Sequence, residues 1–286
     1  MQLLLNSIIY LISLLPFRLL YILSDLVNFI LFDMFRYRRD IIKGNLERSF
    51  PEKSSSEIAQ IQKKFHRYFC DLTFETFKTL TISEAQVKKR VQYTCSKLFS
   101  HYAEKGQSVI IVMGHYGNWE LAGASFAVEG IHKLIVIYHP LKNKRSNALV
   151  VKMRTRLGNE LYAKKEVLRG MLKDRGRLTA TAFIADQTPP PEGAYWTQFL
   201  NQDTPVFSGI AKLARKFDYP VIYVRVVNEK RGYYTLEAEL LCEKPSVLSE
   251  AELSELHTRI LEADIRKKPE YWLWSHRRWK HRRNEK

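Results

Sequence analysis

His115 and Glu120 are the two residues of this 286-residue chain whose types and spacing best suit acid–base chemistry. They follow the apolar stretch 108–113, with four residues between them. An imidazole titrates near neutral pH, so it can take the proton of a weakly nucleophilic hydroxyl as that hydroxyl attacks an electrophilic carbon. A neighbouring carboxylate would fix the imidazole tautomer and stabilise the imidazolium ion. We therefore predict that His115 is a general base and that Glu120 is its partner acid.

The local backbone decides whether this pair can meet. On a continuous helix, five steps of about 100° would place His115 and Glu120 on different faces. If His115 lies on a turn and Glu120 in the first turns of the next helix, the carboxylate can fold back toward the imidazole. Gly114 and Gly117 give the backbone freedom that such a turn needs. Asn118 lies in the same turn and is expected to contact the substrate.

Asp186 and Gln187 form a second candidate group, because they close another apolar stretch, 178–185, in front of a Pro-rich loop. Neighbouring strand ends of a parallel sheet lie close together, so this group is expected near the first one and at the substrate. Alternatively, Asp186 only caps the loop. Arg154 and Arg156 lie on a basic predicted helix. They either hold a phosphate of the substrate or form a solvated face.

The elements that would position these residues alternate between strands and helices. Apolar stretches predict strands at 108–113, 134–138, 178–185, 221–227 and 234–241. Helical periodicity predicts helices at 56–80, 121–128, 147–157, 166–173, 209–217 and 253–267. This alternation predicts an α/β fold with a mostly parallel central sheet.

The N-terminus is apolar over residues 3–35, but Pro16, Arg18 and Asp25 interrupt it, and a basic run at 36–39 ends it. A single membrane span fits this pattern poorly. Two short helices hinged near Pro16, lying in one leaflet or at its surface, fit better. The basic run would place them on the cytoplasmic side. We predict a membrane-anchoring segment at 1–39 and a catalytic domain at 40–286. The alternative is an amphipathic hairpin packed on the core.

The charge of the chain restricts its partners. It has 46 Lys and Arg against 30 Asp and Glu, a formal net charge of +16. Such a field attracts phosphates, anionic headgroups or an acidic protein. Residues 266–286 are strongly basic and carry three tryptophans, which suits a membrane headgroup zone or a nucleic acid.

The three cysteines, Cys70, Cys95 and Cys242, are widely spaced and form no ligand pattern with histidine. We read them as packing residues in a reducing compartment. The chemistry inferred for His115 requires neither metal nor cofactor, and we expect neither.

Five blocks of the sequence, taken together and in order over about 40 to 280, resemble the late acyltransferases of lipid A biosynthesis and related lysophospholipid-acyltransferase-like enzymes. The blocks are Asn45-Leu46 with Phe50-Pro51, the motif from Gly114 to Glu120, Asp186-Gln187, residues 207–213, and residues 269–280.

The resemblance implies a glycerolipid-acyltransferase-like α/β domain on the cytoplasmic face of a bacterial inner membrane. It implies acyl carrier protein as the donor and, as the acceptor, a phosphorylated lipid A precursor carrying a free hydroxyl. His115 then corresponds to the family's catalytic base and Glu120 to its partner acid. Asp186 corresponds to the acid of the second motif. Either Arg154 or Arg156 corresponds to the family's functional arginine.

Three alternatives differ from this interpretation. The same chemistry could act on another bacterial lipid, such as an aminoacyl lipid or a glycolipid. A basic nucleic-acid-binding protein would explain the charge, but the apolar N-terminus and the lack of a nucleic-acid motif argue against it, so we expect no nucleic-acid partner. A membrane-bound hydrolase could use the same pair on water, although the chain has no Gly-x-Ser-x-Gly elbow.

Overall fold

The computed structural model describes residues 2–283. Met1 and residues 284–286, at the outer ends of the predicted segments 1–39 and 40–286, lie outside the described residues. The helices are α1 (Gln2–Leu14), α2 (Phe17–Asn28), α3 (Arg39–Ser49), α4 (Ser55–Lys78), α5 (Glu84–Arg90), α6 (Ser96–Glu104), α7 (Trp119–Glu129), α8 (Lys144–Thr155), α9 (Val167–Lys173), α10 (Gly209–Phe217) and α11 (Glu250–Lys267). A π-helical turn at Phe29–Met34 and two 3₁₀ turns at Pro245–Val247 and Pro269–Tyr271 complete the helical elements.

The strands are β1 (Val91–Tyr93), β2 (Val109–Met113), β3 (Lys133–Tyr138), β4 (Glu160–Ala163), β5 (Thr179–Ile184), β6 (Tyr195–Phe199), β7 (Gln202–Val206), β8 (Val221–Lys230) and β9 (Tyr233–Cys242). Seven of them form one sheet in the order β1-β9-β8-β2-β5-β3-β4. Neighbours run parallel except β8 and β9, and β6 with β7 forms a separate antiparallel hairpin. The predicted α/β fold with a mostly parallel sheet is confirmed.

The register of β2 and β5 sets the position of the site. Both strands are apolar and covered on both faces, as parallel central strands usually are. They pair in parallel with Met113 opposite Ile184. His115 and Asp186 each follow two residues after these aligned ends, so the register carries both to the same edge of the sheet.

The sheet packs against helices on both faces. On one face, Ile111 and Val224 belong to the core cluster that includes Leu121 of α7. On the other face, Ile110 and Val112 pack with residues of α10 and α11. The alternation of β2 side chains between two cores follows from the two-residue repeat of a strand.

The N-terminal arm consists of the two helices expected to meet near Pro16, which directly precedes α2. Phe17 and Leu20 of α2 are buried in the core, and the Tyr21 hydroxyl donates to Glu75 of α4 at 2.6 Å. Within residues 2–283, no helix has both the length and the apolar character needed to cross a membrane.

Two tryptophans of the C-terminal segment are buried, although the sequence suggested a surface that meets membrane headgroups. Trp272 is 2% exposed and Trp274 is fully buried. They lie in the core cluster around Phe50 and Leu46, because their rings find more apolar contact inside the domain than at its surface.

Candidate active site

His115 and Asp186 form a hydrogen-bonded pair at the carboxyl edge of the sheet. The distance between His115 Nδ1 and Asp186 Oδ1 is 2.6 Å, and the His115 backbone N–H donates to Asp186 Oδ2 at 2.8 Å. Because the carboxylate can only accept, Nδ1 carries the proton and Nε2 keeps its lone pair. The imidazole is therefore held in the tautomer that a general base requires. The expected approach of Asp186 to the first group is confirmed.

The electrostatics of Asp186 favour its ionised form. Burial alone would raise the pKa of this carboxyl, but the charge of His115, the two hydrogen bonds from His115 and the one from Trp272 outweigh it and lower the pKa to about 2. Trp272 Nε1 donates to Oδ2 at 2.7 Å, so three N–H donors fix the carboxylate. A fixed anion beside Nδ1 stabilises the imidazolium formed when Nε2 takes a proton.

Glu120 does not pair with the imidazole, and this corrects the expected His115–Glu120 contact. Its carboxylate accepts from Arg154 instead, at 3.0 Å from Nε and 2.5 Å from Nη2. Asn118 caps α7, so Glu120 is already the second residue of the helix and its side chain reaches α8. There a guanidinium fork makes a stronger partner than a neutral imidazole.

Trp119 connects the two charged pairs. Its ring lies edge-on to the His115 ring, with centroids 4.8 Å apart. Its indole N–H donates to Glu120 Oε1 at 3.3 Å. Glu120 and Arg154 are thus one side chain away from the imidazole.

The structure separates the other predicted substrate contacts. Gln187 is exposed, and its Nε2 lies 3.3 Å from His115 Nε2, the ring nitrogen that does not face Asp186. Of the two arginines, Arg154 belongs to the site. Arg156 is exposed and donates to the Thr79 carbonyl at 3.0 Å rather than to Glu120.

Asn118 cannot contact a substrate, contrary to expectation, because it is fully buried. Its Oδ1 accepts from the Leu121 N–H at 2.9 Å, which caps α7, and its Nδ2 donates to Glu75 Oε2 at 2.5 Å. Glu75 was missed from sequence, although an acid among the apolar positions of α4 was the available signal. It also accepts from the hydroxyls of Tyr21 and Tyr234, both at 2.6 Å. Burial raises the pKa of Glu75.

The two glycines of the turn serve different purposes. Gly117 has φ +62°, and a Cβ there would overlap the Val226 carbonyl oxygen. Gly114 needs no unusual dihedral, but a Cβ would lie 2.6 Å from Leu261 Cδ1. The Tyr68 hydroxyl donates to the Gly117 carbonyl at 2.6 Å. The turn that carries His115 is therefore fixed from below by α4 and α11.

An apolar cavity lies between the sheet and α7, with Trp119 among its lining residues. Its free volume is about 50 Å³. Glu120, Arg154 and Trp119 line it together with apolar and small side chains of five strands and of α7, among them Ile111, Met113, Ala122, Gly123, Phe126, Leu134, Ala182, Ile184, Val224 and Leu236. Small residues on α7 and β5 leave space that an elongated apolar group can fill.

A carboxylate-oriented histidine near an apolar cavity, on a parallel α/β sheet, can chemically act as a general base toward a substrate with an apolar part. The sequence model of the family described as bacterial lipid A biosynthesis acyltransferase matches residues 1–281. The chain is 23% identical over 282 residues to the lipid A biosynthesis palmitoleoyltransferase of Escherichia coli strain K12, covering 94% of this chain and 87% of that protein. It is 24% identical over 255 residues to a lipid A biosynthesis acyltransferase of Haemophilus influenzae, covering 87% of this chain and 79% of that one.

The chain belongs to the bacterial lipid A biosynthesis acyltransferase family, and it is an acyltransferase. The family resemblance read from the ordered sequence blocks is confirmed.

Proposed function

We propose that this enzyme transfers a fatty acyl group from the thioester of acyl carrier protein to a hydroxyl of a phosphorylated lipid A precursor, with His115 as the general base. The observation that carries the proposal is the His115–Asp186 pair, which holds the Nδ1 proton at the carboxylate and leaves the lone pair on Nε2. The His115 ring contacts Trp119, a lining residue of the apolar cavity. In this proposal the cavity receives the acyl chain, and the thioester carbonyl lies near Trp119, which lines the cavity and contacts the imidazole.

The proton and bond changes balance without a further reagent. His115 Nε2 takes the proton of the acceptor hydroxyl as its oxygen attacks the thioester carbonyl carbon. The tetrahedral intermediate expels the thiolate as the C–S bond breaks, and the imidazolium returns the proton to that sulfur. Asp186 stabilises the imidazolium between the two steps. Gln187, beside Nε2, is placed to contact the acceptor or the developing oxyanion.

Glu120 acts in this proposal through Arg154. The two side chains are largely shielded from solvent, with 12% and 22% exposure, and form a bidentate ion pair at the cavity. Held this way, Arg154 supplies a fixed positive charge near the thioester, and Glu120 keeps Trp119 against the imidazole. Arg156 lies outside this arrangement.

Direct transfer, without an acyl-enzyme, is supported by the state of the thiols. Burial raises the pKa of both Cys70 and Cys95 to about 12, so neither is a thiolate at neutral pH. Burial also raises the pKa of Cys242. The donor and acceptor therefore meet in a ternary complex.

The proposed partners suit the charge of the chain and the surface of its arm. A formal charge of +16 attracts both an acidic carrier protein and lipid phosphates. Among the described residues, thirteen of the nineteen large apolar side chains that are exposed lie between Leu4 and Phe35. Leu11, Ile22 and Phe35 are 62%, 63% and 73% exposed. Residues 1–39 thus form the proposed anchor, lying on the cytoplasmic face of a bacterial inner membrane.

The membrane proposal is tested by sedimentation with vesicles that contain anionic lipid, at high salt. Leu11→Glu combined with Ile22→Glu should abolish co-sedimentation. The matched control is Val247→Glu, because Val247 is 74% exposed and lies outside the arm. This variant should bind as wild type does. Unchanged binding of the double variant would refute the anchoring role of the arm.

The activity is tested by mass spectrometry of lipids extracted after incubating the purified protein with acyl carrier protein thioester and a lipid A precursor. We expect a product heavier by one acyl chain, absent with His115→Ala and present with His101→Ala, an exposed histidine of α6. A parallel reaction with a coenzyme A thioester tests the donor. Transfer to a different lipid would overturn the acceptor, and no transfer to any lipid would overturn the proposed function.

A further inference from the structure

Arg278 is a buried cation next to the catalytic acid. Its side chain is 2% exposed, and its Nη2 donates to the Pro205 carbonyl at 2.6 Å. Its Nε and Nη1 find no hydrogen-bond acceptor among residues 2–283. A buried guanidinium with unmatched donors is unfavourable unless a polar group meets them.

These donors line a second, smaller cavity on the other side of the sheet from the apolar one. Its polar lining includes Asp186, Arg278 and His257, and its remaining wall is mostly apolar side chains such as Val112, Ala185 and Phe199. His257 is 5% exposed, and its Nε2 also lacks a partner among the described residues. The free space is about that of one water molecule.

We propose that Arg278 and His257 hold a water molecule in this cavity, and that through it the guanidinium keeps the Asp186 carboxylate ionised and fixed toward His115. A water can accept from one of the unpartnered N–H groups of Arg278 while it donates to Asp186 and to His257 Nε2. An anion would meet the Asp186 carboxylate at close range and is excluded by its charge. Arg278 is then a positioning residue for the proposed acyl transfer, on which this inference rests.

Four other titratable groups act on Asp186, and none of them is charged near neutral pH. Burial raises the pKa of the two phenols well above 10 and lowers the pKa of the two histidines to about 4; these groups are Tyr68, Tyr223, His257 and His276. Burial lowers the pKa of Arg278 to about 10, so it stays protonated at neutral pH. Within the described part of the chain, Arg278 is thus the cation that shares the small cavity with Asp186.

The decisive measurement is the titration midpoint of the His115 ring, followed by NMR on histidine-labelled protein without any substrate. Arg278→Gln removes the charge but keeps a donor for Pro205, whereas Arg278→Lys keeps a charge. Loss of the cation makes the imidazolium easier to form. The midpoint in Arg278→Gln should therefore rise by about one pH unit, because the charge acts on the imidazole across both the water and the carboxylate at an effective dielectric constant of about 20.

The controls separate charge from packing. Arg278→Lys keeps a cation as long as the lysine is protonated, which the Asp186 carboxylate favours and burial opposes, so its midpoint should lie between those of wild type and Arg278→Gln. Arg277→Gln, which neutralises the exposed neighbouring arginine, should leave the midpoint unchanged. Equal shifts in Arg278→Gln and Arg278→Lys, or no shift in either, would overturn the role of the charge.

A second observation covers the case in which these variants do not fold. A crystal structure of the unaltered protein, at a resolution that shows ordered solvent, should show a water within hydrogen-bonding distance of Arg278 Nε or Nη1. A dry cavity would overturn the proposal. Because neither measurement needs turnover, the result stands apart from the acyl-transfer assay, and failure of one does not imply failure of the other.

Discussion

Replacing Asp186 by asparagine tests which acid orients His115. Asp186 uses Oδ2 to accept from the His115 backbone N–H and from Trp272 Nε1, and Oδ1 to accept from His115 Nδ1. An asparagine has one oxygen and one NH₂ group. The backbone and indole N–H groups can only donate, so the oxygen must remain at their side. The NH₂ group then faces Nδ1, which must accept, and the imidazole proton moves to Nε2.

The expected cost is large because this tautomer cannot act as a base. Changing the acid of a catalytic triad to its amide lowers kcat by about 10⁴-fold through the same tautomer error, and we expect about that loss in Asp186→Asn. It corresponds to about 5 kcal/mol of lost transition-state stabilisation. The fold should lose only about 1–2 kcal/mol, because the donors at Oδ2 keep their acceptor.

The assay is single-turnover acyl transfer with a labelled donor, run beside Glu120→Gln as the matched carboxyl-to-amide control. Glu120→Gln weakens the pairing with Arg154 but leaves the His115–Asp186 pair intact. We expect it to cost about 10- to 100-fold, less than Asp186→Asn. If Asp186→Asn were the more active of the two, Glu120 would be the orienting acid and the reasoning from this geometry would be wrong.

Three further changes probe the cavity and the buried charges. Ala182→Leu, which adds three carbons inside the apolar cavity, should shift donor preference toward shorter acyl chains in competition assays, at a stability cost of about 1–3 kcal/mol. Glu75→Ala strips the acceptor from three buried donors and should lower the free energy of unfolding by about 3 kcal/mol in urea, whereas Glu75→Gln, which keeps one acceptor, should cost less. Burial lowers the pKa of His257 to about 4. Between about pH 6.5 and 4 the unfolded chain therefore binds more protons than the folded one, and the free energy of unfolding falls as the pH drops. His257→Gln should remove about 2 kcal/mol of that loss at pH 5.

The central strands were predictable from sequence because burial on both faces leaves a continuous apolar run. β2 shows this pattern throughout, and β5 shows it with two threonines, which also favour strands. The predicted positions of both agree with the structure within one residue at each end. The hairpin β6–β7 was missed because Asp203 and Pro205 are weak strand formers. β1 and β4 have only three and four residues, too few for a periodicity to show.

The candidate site was predictable in its place but not in its pairing. Strand ends locate His115 and Asp186 at one edge of the sheet, which requires only that β2 and β5 be neighbours. The partner of Glu120 depends on where α7 begins and on Arg154, a residue of another helix. Local spacing carries no information on such a contact. The same holds for Trp272 and Arg278, which reach Asp186 only through the path of the C-terminal segment.

The first and last of the family-like sequence blocks contact each other through the C-terminal segment. Asn45 Nδ2 donates to the carbonyls of Trp274 and His276, both at 3.0 Å, and the Phe50 ring packs against Trp274 at 5.8 Å between centroids. These contacts fix the backbone that presents Trp272 to Asp186. Asn45 is therefore connected to the His115–Asp186 pair through the C-terminal backbone and Trp272. The presence of Asn45 in a sequence block far from His115 is thus explained by its part in orienting the Asp186 carboxylate.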